Sequence, residues 1–375
     1  MTLLVDNFWQ AGDPDFTLAF GRAFAQGAIT GQAVTMLDKT YPVTTLAALP
    51  AGATLEGVSR INSCISTSVA VGDVITAPSW VSIQKVQINS SVVRTAGNFI
   101  NVTGSEFLLD DFTLSGGFNG ITIGNGLSKT QITNGIIIST ATNGVAVTYG
   151  AAGGVAPVCN FMSDIMMNSA NAVAANISLI NCGDLTLDAI QALSAVNNLL
   201  VQPPAGCSVA SLKAIGCFFD HASGSNLLAH PGGGGGFYRS DFTNCWFGSG
   251  AVNNASLWTT DNSFVDNISF SQCDGVLSPG SGFVCIGQIS NCAWHGGRLA
   301  GNVDGFYLSP ALGFGGLEVK NAKIGACGGI ATNTNGGLLL GAGGHNQIAW
   351  NDFIGDTFTN TNTGAGNVVT PNIVR

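Results

Sequence analysis

Apolar and polar positions alternate along most of this chain, but only in short bursts. Ala33-Val34-Thr35-Met36-Leu37, Tyr41-Pro42-Val43 and Ala53-Thr54-Leu55-Glu56-Gly57-Val58 set the style, each bounded by turn-forming residues. A period of two over so few residues predicts short strands joined by tight turns. One stretch breaks the rhythm. Phe16, Phe20, Ala23 and Phe24 recur at helical spacing, which predicts a helix over residues 13–27 with Asp13 as N-cap, Pro14 in the first position and Gly27 as stop. Its apolar stripe must cover something.

The strands repeat. One series runs Ile215-Gly216-Cys217-Phe218, Thr243-Asn244-Cys245-Trp246, Ser271-Gln272-Cys273-Asp274, Ser290-Asn291-Cys292-Ala293, Lys320-Asn321-Ala322-Lys323 and Trp350-Asn351-Asp352-Phe353, with third residues 28, 28, 19, 30 and 30 apart. A second series, centred on Leu199, Leu227, Leu257, Phe283, Phe306 and Leu338, steps by 28, 30, 26, 23 and 32. Weaker copies lie upstream at Gly120–Gly124, Gly144–Val147 and Ile180–Gly183. Two interleaved series with one mean period predict a solenoid of roughly ten turns, in which each turn has too little apolar area to fold alone and stacking buries a continuous core. Equivalent residues then lie about 4.8 Å apart. Cys182, Cys217, Cys245, Cys273 and Cys292 are expected to form one inward ladder of stacked thiols, with disulfides as the alternative.

Composition agrees with a chain of strands and turns. Charged residues make up 9% and hydrophobic residues 46%, while 52 glycines are spread through all 375 positions, so no linker divides the chain and long helices are not expected. The net charge of −9 comes from 21 acidic and 12 basic residues without a basic run, which speaks against a nucleic-acid partner. No apolar stretch reaches the ~20 residues of a membrane span, and Met1 to Asp6 lack the basic start of a signal peptide. The ten cysteines form no CxxC pair, so no zinc, other metal or cofactor is expected.

The N-terminal region carries a resemblance. The helix from Asp13 to Gly27, then Val34 to Leu37, Tyr41 to Val43, Leu49-Pro50-Ala51-Gly52 and Thr54-Leu55-Glu56-Gly57 resemble the entry of the pectate-lyase-like β-helix superfamily, which includes bacteriophage tailspikes and polysaccharide-degrading enzymes. The resemblance implies an all-β fold: a single-stranded right-handed parallel β-helix solenoid with a short N-terminal capping helix. Residues 1–33 are then a docking segment and cap, 34–360 the coil, and 361–375 a tail.

Enzymes of this fold use paired carboxylates, which hydrolysis requires about 5 to 9.5 Å apart. Asp110-Asp111 is the double aspartate of the coil, but it reads as an ordinary strand-turn-strand rung. His295-Gly296-Gly297-Arg298 is similar to a polygalacturonase motif whose companion motifs are missing. The neighbourhood of residues 218–261 is the better candidate. Asp220, Asp241 and Asp261 are the candidate catalytic carboxylates; His221, His230, Tyr238, Arg239, Trp246 and Trp258 are candidate sugar ligands, since a pyranose stacks on a ring and is bound at its edges by polar groups. In the competing reading alternate aromatics pack inward and Asp and His decorate turns. The run Gly232 to Gly236 precedes no helix and reads as a flexible connecting loop, not a phosphate cradle.

By analogy of fold, the expected function is a virion appendage, a phage tailspike, fibre or neck spike that binds a host surface polysaccharide. Its expected partners are two further copies of itself in a homotrimer, other virion proteins through the N-terminal segment, and a bacterial glycan. A polysaccharide depolymerase and a purely structural solenoid are the alternatives.

Overall fold

The computed structural model describes residues 2–369 and 372–374, apart from 47, 140, 171 and 328. The chain winds into a parallel β-solenoid. Among the described residues, one set of 12 strands, from Ile75–Ala77 to Phe358–Asn360, stacks as a separate sheet with one strand per turn. The remaining strands form a 28-stranded sheet that bends round the corners of the coil.

Register divides this wall into faces. Sheet I stacks Val34, Leu55, Ile83, Leu109, Ile132, Met162, Leu187, Ala214, Phe242, Phe270, Trp294, Val319 and Ile348 on successive rungs, all pointing inward. Sheet II follows it on each rung and stacks Ile88, Leu114, Ile137, Met167, Ala192, Phe219 and Phe247. Sheet III is the 12-stranded sheet. From Cys182 onward the coil gains sheet IV, with Cys182, Val209, Phe237, Val265 and Ile289 facing inward. Phe242, Phe270 and Trp294 stack at centroid distances of 4.7 and 5.1 Å, so the core is a set of side-chain columns parallel to the axis.

The turns between sheets I and II are left-handed residues, single except at Gly296-Gly297, where both are left-handed. Lys85, Asp111, Asn134, Asp164, Ala189, Gly216, Asn244, Gln272, Gly296, Asn321 and Trp350 all have positive φ and sit on consecutive rungs. An L-residue pays about 1–2 kcal/mol for this conformation. The cost is offset because each corner N–H donates to the next rung, as Asn244 does to the Ser271 carbonyl at 2.9 Å and Gln272 to that of His295 at 2.8 Å. The repeated Gly/Asn-Cys motif is therefore a corner, not a strand. Ser290-Asn291-Cys292 belongs to a different corner, between sheets IV and I, which explains the irregular step of 19 residues.

This corrects the thiol ladder. Cys217, Cys245 and Cys273 do stack, each just past a sheet I/II corner, but Cys182 lies in sheet IV, and Cys292 stands in the column of Ile268 and Leu317. All ten cysteines are free, and Cys159 is the exposed one. The second series holds better: Leu199, Leu227, Ala255, Phe283, Phe306 and Gly337 are rung neighbours in sheet III, a shift of two residues at the third copy and one at the last.

The helix is also displaced. It runs Thr17–Thr30 and ends on the left-handed Gly31, while Asp13 instead accepts the Gln10 N–H and pairs with Arg22. Asp15 accepts the Thr17 N–H at 2.8 Å. Ala19, Phe20, Ala23 and Phe24 are buried against the first rungs, as the stripe requires. Pairing reaches beyond the expected coil boundaries, from Leu3–Leu4 against Val34–Thr35 to Ile373–Val374 against Asp352–Phe353.

Candidate functional site

The nine candidate residues share a few rungs but not one face. Register separates Asp220, Asp241 and Asp261. Asp241 points outward from sheet I, where it accepts the Ser269 hydroxyl at 2.5 Å. Asp220 ends a sheet II strand and is the rung neighbour of Gly248. Gly248 lies seven positions further along the chain than Asp241 and past the corner at Asn244, so Asp220 and Asp241 belong to different sheets, II and I. Asp261 lies in the loop between sheets III and IV, where hydrogen bonds from Ser263 and from the Gly233 N–H hold its carboxyl below the usual range. These three carboxylates do not form a hydrolytic pair.

Asp220 is buried, and its carboxylate takes the His221 N–H at 3.0 Å and His221 Nδ1 at 2.8 Å. His221 is a left-handed corner residue with an exposed ring. Beside this pair, Trp246 stacks between Phe218, at 5.6 Å, and the Arg298 guanidinium, at 5.7 Å. Asp274 grips Arg298 through two hydrogen bonds of 3.1 and 2.5 Å. The indole is thus flanked by a ring and a guanidinium, it is only partly exposed, and its Nε1 is buried. Asp220 lies three residues after Cys217 and His295 three after Cys292, a spacing that predicts one shared face, but His295 belongs to sheet I and pairs with Glu318 at 2.9 Å, so it does not share the face of Asp220.

His230 and Trp258 stack at 4.9 Å at the end of sheet III. The free side of His230 closes a shallow cleft of about 420 Å³ with Gln202, Pro204, Ala205, Gly232 and Gly233. The glycine run is a connecting loop as expected, but it is packed down: a Cβ on Gly235 would lie 2.0 Å from the Pro203 carbonyl oxygen.

Tyr238 and Arg239 form the more complete arrangement. Tyr238 points outward from sheet IV, with Ala210 and Asp266 on the adjacent rungs and Ser290 one rung beyond Asp266. Its ring stacks on Phe264 at 5.8 Å, and Arg239, on the next corner, lies 5.6 Å from the same ring. Phe264, Val265, Asp266, Ser290 and Phe314 complete a groove of about 460 Å³. Asp266 accepts the Asn291 side-chain amide at 2.8 Å, which fixes its carboxylate at the groove wall. The groove thus offers ring surface, a guanidinium, a carboxylate and a hydroxyl within one concave patch, the chemistry that holds a sugar.

Phe264, Asp266, Ser290 and Phe314 are absent from the sequence-based candidates. A signal for two of them exists: Phe264-Val265-Asp266 follows Gly236-Phe237-Tyr238 by 28 residues, the period of the repeat, and alternates in the same phase.

No protein-family model matches the sequence, and none of the curated protein sequences matches it. Solved structures do. The tailspike of E. coli bacteriophage HK620, solved in complex with a hexasaccharide, superposes with a TM-score of 0.57 at 10% identity over 98% of this chain and 80% of that one. Tailspike protein 3 of bacteriophage CBA120 gives 0.47 at 11% identity, covering 99% of this chain and 62% of that one. The mannuronan C-5 epimerase A-module of Azotobacter vinelandii gives 0.46 at 10% identity over 100% and 99%. At these identities the likeness is one of fold, and the chain has the right-handed parallel β-helix architecture found in phage tailspikes.

Proposed function

We propose that this chain is the glycan-binding β-helix of a tailspike-like virion appendage, which holds a bacterial surface polysaccharide against the outer face of sheet IV. The observation that carries the reading is the groove of Tyr238, Arg239, Phe264, Asp266, Ser290 and Phe314, where stacked rings and fixed polar groups line one concavity. The hexasaccharide complex of the HK620 tailspike supports it by analogy of architecture. Retention of the glycan is proposed and not cleavage, because Asp220, Asp241 and Asp261 lie apart. His221, His230, Trp246 and Trp258 fall outside this groove and are read as ladder and corner residues. The reading brings with it a homotrimer and attachment to other virion proteins; a mean hydropathy of +0.35 and exposed Val71 and Val93 are consistent with apolar surface covered between copies.

The test is binding of the purified protein to surface polysaccharides from a bacterial panel, by calorimetry, with Phe264→Ala and Tyr238→Ala beside the parent. Each truncation removes one ring of the stack and is expected to weaken binding about tenfold. A glycan that binds parent and both variants equally places recognition elsewhere and sinks the assignment of the groove.

A further inference from the structure

The aromatic groove does not end at Phe314. A second trough of about 690 Å³ shares Ser290 and Phe314 with it and continues toward the C-terminal rungs past Asn291, Leu312, His345 and Thr363. Register measures the combined length. Tyr238 is followed by Asp266, Ser290, Gly315 and Gly344 on successive rungs, four steps, or about 19 Å at the strand spacing.

The floor of this second trough is bare backbone. Gly315 has φ 138°, and a Cβ there would sit 2.0 Å from the Gly344 carbonyl oxygen; on Gly344 it would sit 2.5 Å from that of Ala365. Rung-to-rung packing therefore excludes side chains along the floor. The consequence outside is a smooth channel whose rim carries Leu312, 81% exposed, and the ring of Phe314.

Charge is the third observation. Arg239 is the only Lys or Arg, and Asp266 the only Asp or Glu, among the described residues lining either groove. The whole chain carries a net charge of −9, so its long-range field repels polyanions, and no strip of bases along the channel reverses that locally.

From these features, and resting on the glycan-binding reading above, we infer that the ligand is an uncharged polysaccharide that lies parallel to the coil axis across both grooves. Its apolar ring faces are held by Tyr238, Phe264, Phe314 and Leu312. Its hydroxyls are read by backbone groups, Asp266 and Asn291, not by ion pairs. Several sugar residues must be engaged at once, so affinity depends on chain length.

The test uses the full chain with neutral and with uronate-containing bacterial surface polysaccharides, each also supplied as size-graded oligosaccharides. Binding is measured from about 50 to about 500 mM salt, a range that collapses the screening length to a few ångströms. The neutral series is expected to bind, with affinity rising about tenfold as fragments grow to span the channel, and with little salt dependence. Thr363→Trp, an exposed position at the far end, is expected to abolish that rise without changing the affinity of the shortest binding fragment. Binding of uronate polymers alone, steeply weakened by salt, overturns the uncharged ligand and leaves glycan binding standing. A neutral series without length dependence, or one indifferent to Thr363→Trp, overturns the extended channel. Absence of binding in both series overturns this inference together with the glycan-binding reading.

Discussion

Replacing Asn226 by leucine removes the centre of a buried polar ladder whose cost can be worked out from its neighbours. Asn176, Asn198, Asn226 and Asn254 are fully buried on consecutive rungs of the solenoid, at the approach to sheet III. Each side-chain amide donates to the carbonyl oxygen of the next asparagine, at 2.7, 2.7 and 3.1 Å for the links 176–198, 198–226 and 226–254. The same amides also donate across the core to backbone carbonyls at the end of sheet II, as Asn226 does to Gly248 at 2.6 Å. Leucine at 226 fills a similar volume but makes none of the three hydrogen bonds.

The partners left behind decide the magnitude. Asn198 still donates to the Asp220 carbonyl, Asn254 still accepts from the Gly250 N–H, and the Gly248 carbonyl still accepts from the His221 N–H. None becomes a wholly unsatisfied buried group, so the loss is about 1 kcal/mol for each of three bonds, ~3 kcal/mol in all. With an unfolding entropy near 2.1 cal/mol/K per residue over 375 residues, that lowers Tm by roughly 4 °C. The assay is urea unfolding of parent and Asn226→Leu, checked by hydrogen exchange of the amides around residues 221–229 and 248–257. The damage is expected to be local as well as global, because in a solenoid each rung contacts only its neighbours. A variant with unchanged midpoint and unchanged exchange would refute the claim that the ladder contributes to stability.

Further outcomes follow from other features. Gly297→Ala is expected to destabilise by at least 2 kcal/mol, since it combines φ 65° with a Cβ placed 1.8 Å from the Cys273 carbonyl oxygen, and urea unfolding measures it. Burial pushes the thiols of Cys182 and Cys292 up to about 12, so a thiol reagent at neutral pH is expected to label exposed Cys159 rapidly and these two only on unfolding; fast labelling of more than two sites contradicts the fold. Burial works against ionisation of Glu318, but hydrogen bonds and charge from Lys320 and His295 outweigh it and hold its carboxyl below the ordinary value. A depressed folded-state value means that stability from this group is complete above ~4.3, the unfolded value, and is lost as pH falls through the folded one. Glu318→Gln is expected to lower stability by a constant amount above pH ~6 and to flatten the acid limb, because the contribution it removes is already lost at low pH; equal stability of parent and variant at neutral pH contradicts the linkage.

The fold was legible because periodicity and stacking are the same fact written twice. A coil of near-constant circumference returns similar residues at similar spacing, and the corner asparagines and glycines mark it most clearly. The phase was harder to read. Sheet IV joins the coil at Cys182 and adds a second corner with the same Asn-Cys signature, so the motif at Ser290-Asn291-Cys292 merges with a series to which it does not belong. The error carries over to the site, because His295 is then assigned to the wrong face. The asparagine ladder was hidden for another reason: nothing in Asn198-Leu199 or Asn226-Leu227 says that the asparagine points inward, and only the third dimension supplies its partners.

Stacking also limits which outward residues can bind anything. A ring placed above another ring on the next rung gives up a face to it, so a long aromatic column is closed along most of its length and exposes edges. Trp246, between Phe218 and Arg298, is flanked in that way. A column becomes available where it is broken by a small or polar rung neighbour. Tyr238 stands beyond Ala210, which has no ring to cover it; Arg239 flanks its ring, and the open apolar surface is that of Phe264, 41% exposed, which follows Gly236 on the previous rung and abuts a groove instead of a further ring. Single aromatic residues therefore say little about recognition in a solenoid. The informative sequence feature is an outward aromatic whose equivalent one period earlier is small, and that criterion selects Tyr238 over Trp246 before any groove is measured.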